Sequence, residues 1–133
     1  SDWQPASPKK LSGSPSGELV GYLSHNSGWH RDLAQRLLVE RNDKMIVPAL
    51  NELALRGKTH LGRYHALWTL EGLRALTPDL LLKALHDPHP LVQTTALRLL
   101  EPMTREQPKV QNELGAILQT LVGQSPVDVT LHI

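Results

Sequence analysis

Seven histidines in a chain of 133 residues raise the possibility of metal chemistry. His86 and His89 flank Asp87-Pro88, and His60 and His65 flank a predicted helix start. A zinc site needs three or four converging ligands with a supporting shell. Neither pair has the i, i+4 spacing that would turn two imidazoles on one helix face toward one ion, so the histidines read as surface or turn residues. Nucleophilic chemistry has less support: there is no cysteine, no Gly-rich phosphate loop, no Ser-His-Asp order and no carboxylate pair in a cleft context. No catalytic, cofactor-binding or metal-binding residue is therefore assigned. Arg31, Arg36 and Arg63 could hold phosphate groups, but Asp32 and Glu40 lie among them. An ion-pair ladder between neighbouring helices is the preferred reading, at about 1 kcal/mol or less per exposed pair.

A second constellation is aromatic. Tyr64, Trp68 and Glu71 fall at i, i+4 and i+7 on one side of a helix, away from the apolar stripe of Ala66, Leu67, Leu70 and Leu73. Trp68 is either an anchor for a partner, since Trp and Tyr dominate interface hot spots, or filler between neighbouring helices. Filler is preferred, because repeat helices often bury two faces. If a contact face exists, Arg31, Arg36, Arg63, Tyr64 and Trp68 form it. Trp29, at the start of its helix, reads as a packed residue closing a turn.

The elements that must carry these residues repeat. Leu19, Leu50, Leu81 and Leu114 are separated by 31, 31 and 33 residues, and Leu23, Ala54, Leu85 and Leu118 keep the same steps. Arg31-x-x-Ala34, Arg63-x-x-Ala66 and Gln93-x-x-Ala96 interleave at 32 and 30. Two apolar helical stripes per unit at such a period predict an all-α, right-handed α-α superhelix of about three and a half helix pairs.

The predicted elements run in order. Residues 1–16 are rich in Pro, Ser, Gly and Lys and read as a linker, with Trp3 as a docking candidate. The repeat domain spans 17–133. Its helices cover 17–24, 29–41, a segment from N-cap Asp43 to Arg56 ended by a C′ Gly57, and 63–76. A further helix starts at Thr77-Pro78, another turns in at 86–90 and is broken by Pro102, and the last covers 108–122. Residues 125–133 resemble the opening of one more second helix, and the chain is expected to be part of something longer. The expected core is Leu19, Leu23, Ala34, Leu37, Leu38, Leu50, Leu53, Ala66, Leu70, Leu81, Leu85, Ala96, Leu100, Leu114 and Leu118.

Composition narrows the functions. With 14 basic and 13 acidic residues the net charge is +1, so no long-range field steers the chain toward nucleic acid or an anionic membrane. No apolar run approaches the roughly 20 residues of a membrane span. Hydrophobic content of 40% without Phe implies a core of Leu, Val and Ala.

Asp87-Pro88-x-x-x-Val92-Gln93-x-x-Ala96-Leu97 resembles a HEAT repeat, with Gln93 where that family usually has Arg or Lys. Two longer strings, GWHRDLAQRLLVER from Gly28 to Arg41 and RYHALWTLEGL from Arg63 to Leu73, resemble the HEAT segment of planctomycete and verrucomicrobial membrane-bound dehydrogenase-like (haem-binding domain) proteins. His30 and Leu33 depart from the aromatic residue and Thr common there. The resemblance covers about residues 18–133. It implies a periplasmic or otherwise extracytoplasmic parent in which a β-propeller, HEAT repeats and a c-type cytochrome follow one another. On that basis the segment is a non-catalytic spacer or protein-interaction scaffold, its partner a protein or a neighbouring domain, with haem c confined to the parent's cytochrome. The alternative is a stand-alone HEAT-like enzyme or nucleic-acid-binding module, such as a DNA glycosylase or a lyase.

Overall fold

The computed structural model describes residues 11–124, and within them the chain is helical without a strand. We number the helices α1 (Ser16–Tyr22), α2 (Gly28–Arg41), α3 (Val47–Arg56), α4 (His60–Gly72), α5 (Pro78–Ala84), α6 (Pro90–Thr104) and α7 (Pro108–Gln124). A 3-10 turn, Lys44–Ile46, leads into α3. Trp3, residues 1–10 and the segment 125–133 lie outside the described residues.

Two compact units divide the chain, Ser1–Leu76 and Thr77–Ile133. In the first, α1 packs on α2 and α3 on α4, while α2 also lies against α4. The interior is the apolar register expected from the repeat: Leu19, Leu23, Ala34, Leu38, Leu50, Ala54, Ala66 and Leu70 are all buried. In the second unit α5 pairs with α6, and α7 packs on both. Leu81, Leu85, Ala96 and Leu100 form its centre, with Val110, Leu114 and Leu121 contributed by α7. Three expected core residues, Leu37, Leu53 and Leu118, are only half-buried. Leu11, inside the expected linker, is 1% exposed. Next to it, Arg41 donates to the Ser12 carbonyl at 2.7 Å and to Ser16 Oγ at 3.2 Å.

Two of the caps expected from the sequence, Thr77 and Asp43, are formed. Thr77 Oγ1 accepts from the Leu80 N–H at 3.2 Å, and Asp43 Oδ1 accepts from the Met45 N–H at 3.0 Å. Asp43 thus caps the 3-10 turn, and α3 itself begins at Val47 with Pro48 in its first turn. Thr59, missed in the sequence, caps α4 through the Gly62 N–H, so that helix begins at His60 rather than Arg63.

Helix ends depart further from expectation. Helix α4 stops at Gly72, not Leu76, because Arg74 takes a left-handed conformation (φ 56°). The Ala75 N–H then reaches the Leu70 carbonyl and the Arg74 N–H the Glu71 carbonyl, the two bonds of a Schellman motif. The Lys44 ammonium donates to the nearby Leu73 carbonyl. Gly57 follows α3, but in an extended conformation (φ −57°, ψ 146°) rather than a left-handed one. Glycine is favoured there by space: a Cβ would stand 2.7 Å from the Leu53 carbonyl oxygen. Pro102 lies inside α6, which continues to Thr104. So close to the helix end, its missing N–H removes one bond and does not break the helix.

Candidate interaction groove

Two of the three arginines expected on a contact face, Arg31 and Arg63, are used within the fold. Arg31 Nη1 donates to the carbonyls of His25 (2.6 Å) and Asn26 (2.9 Å), tying down the turn between α1 and α2. Arg63 Nη1 donates to the Gly57 carbonyl at 2.7 Å, closing the turn between α3 and α4. Each guanidinium reaches back six residues, so the 32-residue spacing of Arg31 and Arg63 marks a repeated turn clamp. In the third pair Gln93 occupies that position. There Asp87 Oδ1 accepts from the His89 N–H at 2.8 Å, and His89 Nδ1 accepts from the Leu91 N–H at 3.1 Å.

Two histidines are core residues, contrary to the surface or turn reading. His65 is 7% exposed and faces α2, its Nδ1 2.8 Å from Gln35 Oε1. With that oxygen as acceptor, Nδ1 carries the proton. The Nε2 lies 4.0 Å from Asp32 Oδ1. Burial lowers the His65 pKa, partly opposed by Asp32 and reinforced by Arg31. This contact between α2 and α4 joins Asp32 to a histidine, where an arginine ladder was expected. His30 is also buried, and its ring stacks on His25 (centroids 4.1 Å apart) and Tyr22 (6.0 Å). Burial lowers its pKa too, with His25 adding to the effect. Trp29 meets His30 edge-on at 5.0 Å, consistent with a packed residue at the turn. Among the described residues no three His, Asp or Glu side chains come together as a metal shell.

Arg36 and Trp68 are brought together. They line a groove of about 450 Å³ between α2 and α4. Helix α2 contributes Asp32, Gln35, Arg36, Val39 and Glu40, and α4 contributes Trp68, Glu71 and Gly72. Trp68 is half-buried, with its indole Nε1 shielded and lacking an acceptor among the described residues. Tyr64 contacts Trp68 edge-on at 6.4 Å and His65 at 5.2 Å. Trp68 thus sits half-buried between the second helices α2 and α4 and lines the groove there. Sequence reasoning passed over Val39, Gly72 and Gln35. Only the one-repeat spacing of Gln35 and His65 could have signalled their pairing.

The groove offers an aromatic wall and a charged rim but no nucleophile paired with a base. Among the described residues no helix is long and apolar enough to cross a membrane. The chain matches no family model and no curated protein.

Proposed function

We propose that this chain is a non-catalytic, HEAT-like helical-repeat scaffold that binds protein through the groove between α2 and α4. The observation that carries the reading is the recurrence of one design in successive helix pairs. Arg31 and Arg63 clamp equivalent turns of two successive pairs, the second helices of those pairs pack on each other, and Trp68 lines the groove between them. Stacked helical pairs commonly use such inner surfaces for partners. The resemblance of the strings at 28–41 and 63–73 supports a specific setting: a spacer between a propeller and a c-type cytochrome in an extracytoplasmic dehydrogenase-like protein. The near-zero net charge speaks against a nucleic-acid surface.

The test is site-specific cross-linking in the native host. A photoreactive phenylalanine analogue replaces Arg36, which lines the groove, and in a control it replaces the exposed Glu52 of α3. Cross-links from position 36 to propeller or cytochrome segments, with few from position 52, are the expected result. Equal yields from both positions would remove the groove from the proposal. Cross-links to an unrelated separate protein would replace the spacer with an adaptor.

A further inference from the structure

Charge and shape narrow what the groove accepts. Its walls are the Trp68 ring and the Val39 side chain, and its rim holds three carboxylates, Asp32, Glu40 and Glu71, against one guanidinium, Arg36. This local excess of negative charge stands out in a chain whose overall balance is +1. The carboxylates are exposed. Among the described residues Glu40 and Glu71 form no ion pair, and Asp32 has only its 4.0 Å approach to His65. The volume, about 450 Å³, suits one long side chain with part of its backbone rather than a folded domain.

Resting on the interaction reading above, we propose that the groove takes an arginine side chain from an extended segment of the partner protein. The guanidinium lies on the Trp68 face, and its N–H groups reach Glu40 and Glu71. Arginine suits this site better than lysine. Its planar, weakly hydrated cation stacks on an indole and donates to carboxylates in a fork, whereas an ammonium does neither as well. Val39 and the Gln35 stem cover the methylenes of the incoming side chain. The existing Arg36 repels a second cation at one end of the groove, which sets a single binding position.

The probe is the peptide Ac-Leu-Ala-Arg-Ala-Leu-NH2, compared with versions carrying Glu or Ala at the centre. Each is titrated into the ¹⁵N-labelled 133-residue chain. The readout is the Trp68 indole N–H resonance, assigned by its loss in Trp68→Phe. The arginine peptide is expected to shift this resonance saturably, with Kd at or below about 1 mM. The Glu and Ala peptides should bind at least about tenfold more weakly, and so should the arginine peptide to the double variant Glu40→Lys/Glu71→Lys. Both substitutions are on exposed positions, and circular dichroism checks that the helices persist. Equal shifts from the arginine and Glu peptides, no saturable shift at several millimolar, or undiminished binding by the double variant would each overturn the proposal. If position 36 still cross-links to a partner segment in the host while the arginine peptide fails, the interaction reading survives and the arginine chemistry does not. If both fail, the groove is not an interaction site.

Discussion

Gly72 of α4 lies against Val39 of α2 so closely that a Cβ on the glycine would stand 2.5 Å from a Val39 methyl carbon. Both residues line the groove, and the two second helices of the first unit meet there without room for one more carbon. Gly72→Ala must displace Val39 or spread the helices, a strain of about 1–3 kcal/mol against a small gain in helix propensity. Urea unfolding should show a net loss. Pairing it with Val39→Ala should recover part of it, and full additivity of the two losses would argue against the contact.

Leu70, five residues after His65 in α4, is fully buried. Leu70→Ala is expected to cost about 2–5 kcal/mol, depending on how far the site collapses. A loss below about 1 kcal/mol in the same urea series would mean that α4 is not seated as described.

The repeated arginine clamps make a paired prediction. Arg31→Met and Arg63→Met keep much of the aliphatic stem but remove the donors to the turn carbonyls. Hydrogen bonds from charged donors contribute about 1.5–3 kcal/mol, so each variant should lose stability of that order. Hydrogen exchange localises the effect: Arg31→Met should expose amides near the α1–α2 turn, and Arg63→Met those near the α3–α4 turn. Uniform loosening from either variant would show that the clamps do not act locally.

Arg74 occupies the left-handed position that ends α4, where a side chain costs about 1–2 kcal/mol relative to glycine. Arg74→Gly relieves this strain while adding about 0.5–1 kcal/mol of unfolded-state entropy. The expected outcome is a higher melting temperature, equivalent to a gain of up to about 1 kcal/mol. A lower melting temperature would show that the Arg74 side chain makes a compensating contact.

Acid should destabilise the first unit through its buried imidazoles. His30 and His65 have pKa values lowered from 6.5, so the unfolded chain takes up protons before the folded one does. Their contribution is fully present above pH 6.5. It falls as the pH drops from there through the folded pKa values. His65→Asn keeps a donor toward Gln35 but does not titrate in this range. Its denaturation midpoint should therefore depend less on pH between 7.5 and 5 than that of the parent chain.

The apolar register was legible from composition and spacing alone. Leu19, Leu50, Leu81 and Leu114 recur because each must reach the same inward position of a first helix, and all four are buried. Thr77-Pro78 was legible for a local reason, since a cap depends on a side chain and an amide three residues apart. Where α4 ends was less so, because a left-handed Arg74 does not announce itself as glycine would. The groove was beyond reach of local rules. Arg31 and Arg36 are both arginines on one helix, yet one ties down a turn while the other lines a groove. Gln35 with His65, and Val39 with Gly72, meet only after two helices separated by a full repeat pack together. Sequence determined which residues turn inward, because burial follows helical period. Tertiary packing decided which polar and small residues face each other, because that depends on the distance and rotation between helices.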